Sequence, residues 1–366
     1  MRKKTLVIAA AGTLALILFL VFSFLQRPES GGNEGIDIFH QALDLIREEY
    51  VRPVNPADII PPALSSFFKA LHPASAYLTR ARARVYRALS VPGEICSAGI
   101  FGHLRDDEFL ITRIQPGSAA DRAGILPGEC ITAIDDLDFN TLGYWQILTR
   151  LQSLTPRDIR LSIGKPGNNS NPREINLTTF RTACPSPVPL GKGLYYLPLL
   201  RFTRSEWNRL KNFLQDPKPA GLVLDLRGYL GGDFDSFREI SGLLLSREIP
   251  LTLVTRTHSE TVQMGRIQPD RPFVAGLIDA STVMYSELLA HLLDLDGAVT
   301  LGTATGGLLA LMRELPLEDG SLALFPTGEY RLAERELSGH PLEPRIQLSE
   351  LHLPEQVEQL LALLER

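Results

Sequence analysis

No lysine follows Lys218 in this chain of 366 residues. A hydroxyl nucleophile that needs a neutral amine to take its proton therefore finds none in the C-terminal part. Cysteine is scarce as well, and Cys96, Cys130 and Cys184 are the three present. An odd count at these spacings makes neither a disulfide framework nor a paired-cysteine metal knuckle. The seven histidines lie scattered from His40 to His352 without an HExxH arrangement, so neither a metal site nor a cofactor is expected. Beyond the first four residues there is no block of Lys and Arg, and the formal charge is −5 at a pI near 5.9. Nucleic-acid binding is excluded on that ground. Internal repeats and low-complexity tracts are missing too. With 44% hydrophobic and 22% charged residues, the composition is that of a globular protein long enough for two or three domains with their own cores.

What the chain does have begins with a membrane signal. Residues 5–25, TLVIAAAGTLALILFLVFSFL, form an uncharged apolar run of the roughly 20 residues that a helix needs to cross a bilayer. Arg2, Lys3 and Lys4 before it favour a cytoplasmic N-terminus. Phe24, Leu25 and Gln26 make a poor cleavage site for a signal peptidase. Residues 1–27 are thus expected to be a cytoplasmic stub and an uncleaved single-pass anchor, with everything after Arg27 on the far side of the membrane.

Residues 36–90 read as a helical region. Ile36, Phe39, Leu43, Ile46 and Tyr50 recur near helical spacing, and ALSSFFKAL at 63–71 makes a second short helix bounded by Pro61, Pro62 and Pro73. From residue 93 to 168 the texture changes to short apolar runs punctuated by glycine: SAGIFGHL, EFLITRI and GECITAID, then a helix-like YWQILTRLQ and a strand DIRLSIG. This is a small, separate β-rich module. Residues 180–350 alternate strands and helices, with AGLVLDLRG and PFVAGLID as buried strands and TRSEWNRLKNFLQ and FDSFREISGLLLS as helices. That alternation predicts an α/β sheet with connections over its faces. LPEQVEQLLALLER, in 351–366, closes the chain as an amphipathic helix.

The β-rich module, with GSAADRAGILPGE at 117–129, resembles a PDZ domain. Taken with LHPASAYLT (71–79), GLVLDLRGYLGG (221–232), SELLA (286–290), VTLGTATGG (299–307) and GHPLEPRIQL (339–348), it makes the chain resemble the carboxy-terminal processing, or tail-specific, peptidases of the Ser-Lys S41 type. The resemblance implies a ClpP/crotonase-like α/β core joined to a PDZ-like domain, and a bacterial inner-membrane protein with its ectodomain in the periplasm. It also implies where chemistry would sit. The family's serine falls on Met284, its lysine near Leu308, and the glutamine that orients the lysine on Met312, so all three polar functions are replaced by apolar side chains. Oxyanion donors are backbone N–H groups that side-chain change does not remove; the resemblance puts them at Gly231, Gly232 and Tyr285. A tight turn explains the two glycines equally well. In the PDZ-like domain Ala98, Gly99, Ile100 and Phe101 correspond to the carboxylate loop and first edge-strand residues that hold a peptide end; the alternative is that Gly99 serves a turn and Ile100 the core.

A relocated nucleophile would come from Ser281 or Ser286, with His291 as base. Positions five apart on a helix do not face each other, and Ser281 reads as the N-cap of its helix. Asp225 and Arg227 read as a fixed ion pair or a turn bond. The expected function is a membrane-anchored pseudopeptidase that binds an extended peptide or a protein C-terminus, with an active protease or another envelope protein as partner. The alternatives are an active serine-type endopeptidase with a relocated nucleophile, and a purely structural subunit.

Overall fold

The computed structural model of the protein describes residues 34–91, 95–105, 108–135, 137–138, 142–182, 186–267 and 271–348. The expected membrane span at 5–25 and the expected closing helix at 351–366 lie outside them, as does Cys184. Among the described residues no helix is long and apolar enough to cross a membrane. The chain divides into two compact units, Met1–Ile60 and Pro61–Arg366.

In the first unit the helix Glu34–Glu49 forms where the apolar spacing predicts it. The next helix is longer than expected, running Pro56–Leu71 through Pro61 and Pro62 instead of starting after them. Proline inside a helix removes a backbone donor. Its C-terminal half is anchored all the same, because Ser65 Oγ donates to the Pro61 carbonyl (2.8 Å) and accepts from Gln146 Nε2 (2.6 Å).

The centre of the second unit is a six-stranded sheet in the order Val188–Gly191, Leu194–Pro198, Gly221–Asp225, Phe273–Ile278, Val299–Gly302, Ile346–Gln347. All neighbours are parallel except the first pair. Its inner strands read as near-continuous apolar runs because both faces are covered. Thus Leu222 and Leu224 point into the main apolar cluster, while Val223 joins Tyr196, Ala275 and Leu301 on the other face. Thr203 Oγ1 caps the helix Arg204–Gln215, and Asp233 caps Phe234–Leu244 by accepting from Ser236 N at 2.8 Å. Asp233→Ala is expected to lower stability by about 1 kcal/mol, read as a shifted denaturant midpoint.

A second, antiparallel sheet is organised around Leu322–Leu332, which pairs with Ala76–Leu78, Ile249–Thr255 and Leu311–Pro316. This strand runs unbroken across Pro326. Pro326, which has no N–H to donate, is accommodated where the register shifts between Leu311 and Met312, the kind of position a proline takes in a sheet. Ala76–Leu78 shows that the region expected to be helical also lends a strand to this sheet.

The β-rich module carries the sheet Ile100–Arg105, Glu108–Ile114, Cys130–Ile134, Asp158–Lys165, Asn168–Thr178, with Ile100–Arg105 at its edge. It has its own apolar cluster, including Ile111, Ile131, Leu161 and Ile163, and lies in the same compact unit as the α/β core.

Candidate active site

The strand Gly221–Asp225 ends in a buried polar knot that fixes everything after it. Asp225 accepts from Arg227 Nε (2.7 Å) and Nη2 (2.9 Å) and from the Tyr196 hydroxyl (2.6 Å). Burial alone would raise its pKa, but the Arg227 and Arg113 guanidinium groups outweigh that and hold the carboxyl well below the usual range. Arg113 comes from the PDZ-like sheet, donates to the Arg227 carbonyl (3.3 Å), and stacks over the Phe101 ring at 4.0 Å. The expected ion pair is thus present, and it extends between the two domains.

Beyond it Gly228 packs so closely on Phe101 that a Cβ would come within 2.5 Å of that ring. Gly231–Gly232 then pairs in parallel with Arg201–Phe202. At Gly232, with φ +150°, an added Cβ would meet the Phe202 carbonyl oxygen at 2.4 Å. Both glycines thus have a steric reason to be glycine whether or not anything binds.

The helix Met284–Leu295 starts at Met284, whose φ is +54° although it is not glycine. A bulky residue in this region is strained, and the surroundings hold it there. Thr282 N donates to Asp279 O (2.8 Å), Gly306 N to Thr282 O (3.0 Å), and Asp279 N to Thr282 Oγ1 (3.1 Å). The chain thus makes a sharp strand-to-helix turn whose first side chain, 4% exposed, is a thioether.

Met284 and Met312 line one cavity of ≈ 60 Å³, together with Gly232 and Tyr285. Leu308 does not line it; Leu309 and Ala310 do, while Leu308 packs against the core alongside. Gly231 lies under Leu89. Tyr285 N–H is one of the helix's first donors, which have no partner within the helix, and its ring stacks on Phe237 at 5.0 Å and 17°.

The fallback nucleophiles are positioned otherwise. Ser281 is not the helix cap expected of it, since the helix begins three residues later with Val283 in the cap position. Its hydroxyl donates to Asp279 Oδ1 and accepts from Gly228 N (2.9 Å), which braces the Asp225–Gly228 turn. Ser286 and His291 are both buried, and neither Ser286 Oγ nor His291 Nε2 has a hydrogen-bond partner, so they do not form a pair.

Ala98, Ile100 and Phe101 are buried, and the donors expected to hold a peptide carboxylate have internal acceptors. Ala98 N donates to Leu151 O (3.0 Å) and Gly99 N to Ser97 Oγ (3.0 Å). Gly99, at φ +80°, faces Ser118 so closely that a Cβ would lie 2.1 Å from that residue's Cβ. In this conformation Gly99 is part of a packed turn.

Sequence reasoning passed over Glu287. It is fully buried, accepts from Thr305 Oγ1 (2.5 Å) and Gly307 N (2.7 Å), and so ties the 305–308 loop to the first turn of the helix. Burial pushes its carboxyl up to about 7, against those hydrogen bonds. The only signal was its place in SELLA, close to Met284, where the resemblance puts the nucleophile. Among the described residues no group of three or more His, Cys, Asp or Glu could hold a metal ion.

The strained strand-to-helix turn at Met284 thus shares a cavity with Gly232, on a two-sided α/β sheet joined to a β-rich module. Residues 193–348 match peptidase family S41 and residues 110–163 the PDZ domain, and C-terminal processing proteases are among the proteins to which the chain is similar. It is 26% identical over 307 residues to a carboxyl-terminal-processing protease of Synechocystis sp., covering 80% of this chain and 71% of that one. With the carboxyl-terminal-processing protease of Picosynechococcus sp. it shares 28% over 310 residues, 80% of this chain and 73% of the relative. The fold is that of a photosystem II D1 C-terminal processing protease, with a TM-score of 0.63 at 21% identity over 87% of this chain and 89% of that one.

Proposed function

We propose that this S41 homologue is a pseudopeptidase that holds an extended peptide or a protein C-terminus without cleaving it. The observation that carries the reading is Met284. The backbone keeps the strained turn that would present a nucleophile, and the side chain there is a thioether with no proton to give up and no capacity for acyl transfer. The chain also has no lysine after Lys218, and Leu308 and Met312 offer no general base. Ser281 is engaged with Asp279 and Gly228 N, so a relocated nucleophile has no free hydroxyl there. What remains is a recess beside Gly232, whose backbone groups recognise a peptide without chemistry. The anchor read at 5–25 would hold this activity on the extracytoplasmic face of the inner membrane, beside an active protease or another envelope protein.

The test is incubation of the full-length chain with an unfolded protein ending in apolar residues, alongside a Ser281→Ala, Ser286→Ala double variant. Both proteins are expected to leave the substrate intact and to retain it in a pull-down. Cleavage that disappears in the double variant would overturn the reading and identify a relocated nucleophile.

A further inference from the structure

The cavity at Met284 is walled by aromatic rings. Tyr86 and Trp145 meet at 5.0 Å and 86°, Trp145 and Tyr229 at 6.0 Å and 72°, and Tyr229 and Tyr285 at 6.2 Å and 87°. Each of these three pairs meets at a steep angle, edge to face. These rings come from four separate segments of the chain and all line the same ≈ 60 Å³ space. The one charged side chain in its lining is Glu314, which is exposed on the strand Leu311–Pro316. No lysine or arginine is among the lining residues.

Ring faces carry the negative side of the aromatic quadrupole, and a cation within about 6 Å of a centroid is attracted to it, most strongly when desolvated. A carboxylate at the mouth adds a charge-assisted hydrogen bond for a donor that reaches it. The wider field has the same sign. Burial pushes the Tyr285 hydroxyl up to about 12, and the carboxylates of Asp233, Glu314 and Asp235 push the same way. The volume fits a head group on the order of a few water molecules, which suits a primary ammonium on an unbranched stem. The thioethers of Met284 and Met312 flank the space where that stem would lie.

From this geometry, and resting on the pseudopeptidase reading, we propose that the former active-site cavity is a selectivity pocket for the ammonium of a lysine side chain in the bound peptide, held between the Tyr86, Trp145, Tyr229 and Tyr285 rings and the Glu314 carboxylate. The apolar walls contact the methylene stem and the carboxylate meets the charge.

The test uses end-blocked octapeptides of one sequence with lysine, norleucine or Nε-acetyl-lysine at a central position, titrated calorimetrically into the full-length chain. A fourth peptide carries norleucine and a free N-terminus. Lysine is expected to bind roughly 10-fold more tightly than norleucine or Nε-acetyl-lysine, as one desolvated cation–π contact and a charged hydrogen bond allow. Glu314→Gln, an exposed substitution whose folding is verified by its melting curve, is expected to narrow that ratio to within about 3-fold. Equal or tighter binding of norleucine, an unchanged ratio in Glu314→Gln, or binding confined to the free-N-terminus peptide would each overturn the lysine pocket, as would no binding by any of the four. Hydrolysis of a peptide would instead sink the pseudopeptidase reading itself, so the two failures are told apart.

Discussion

Asp225→Ala is expected to cost about 3–5 kcal/mol of folding stability, the range seen when one partner of a buried ion pair is removed. The Asp225 side chain is 0% exposed and that of Arg227 8%, with the two joined at 2.7 Å. Without the carboxylate, the buried Arg227 guanidinium loses its two bonds to Asp225, and the Tyr196 hydroxyl loses its acceptor as well. Arg113 loses the charge that draws it from the PDZ-like sheet toward the core. The penalty comes from stranding charges, so replacing both members of the pair with apolar residues should recover much of it. Urea unfolding of Asp225→Ala and of the Asp225→Leu, Arg227→Met double variant separates the two effects. A loss below about 1 kcal/mol in the single variant would mean that Arg227 finds water or another acceptor, and that the knot does not hold the turn.

The same knot marks where sequence reading succeeds and where it stops. The buried strands were legible because Gly221–Asp225 and Phe273–Ile278 are short apolar runs covered on both faces, and Asp225 with Arg227 at a glycine turn already pointed to a fixed pair. Ala76–Leu78 was not legible, since three residues are too few to carry a period of two. The long strand Leu322–Leu332 was not legible either, because Pro326 counts against a strand until its partner strand is known to shift register beside it. Ser281 followed the usual preference for serine at a helix start, but the strained turn delays the helix to Met284 and leaves the hydroxyl to brace Gly228. Of the cavity walls, Met284, Met312, Gly232 and Tyr285 were legible through the resemblance, whereas Tyr86, Trp145 and Tyr229 were not. Tyr86, Trp145 and Tyr229 lie far apart along the chain, and nothing local joins them.

Between pH 4.5 and 6.5 the stability of the full chain should change little on account of the helix Met284–Leu295, because two of its buried groups act in opposite directions. Burial raises Glu287 from 4.5 to about 7, while its bonds from Thr305 and the 307–308 backbone pull the other way. Burial lowers His291 from 6.5 to about 4, helped by the positive charge of Arg335 and opposed by Asp294 and the His340 backbone. Between 4.5 and 7 the native chain keeps a proton on Glu287 that the unfolded chain has lost. That contribution is fully present below 4.5 and is lost as pH rises to 7. Between 4 and 6.5 the unfolded chain protonates His291 and the native chain does not, so this contribution is present above 6.5 and is lost as pH falls to 4. Each slope is about 1.4 kcal/mol per pH unit, and each group amounts to about 3 kcal/mol over its range. Glu287→Gln should therefore leave stability rising with pH across the shared window, and His291→Leu should leave it falling. Denaturant midpoints of the native chain and both variants at half-unit intervals test this. Flat profiles in both variants would mean that neither group is held away from its ordinary protonation by the fold, and that the tie between the helix and the 305–308 loop does not depend on the charge of Glu287.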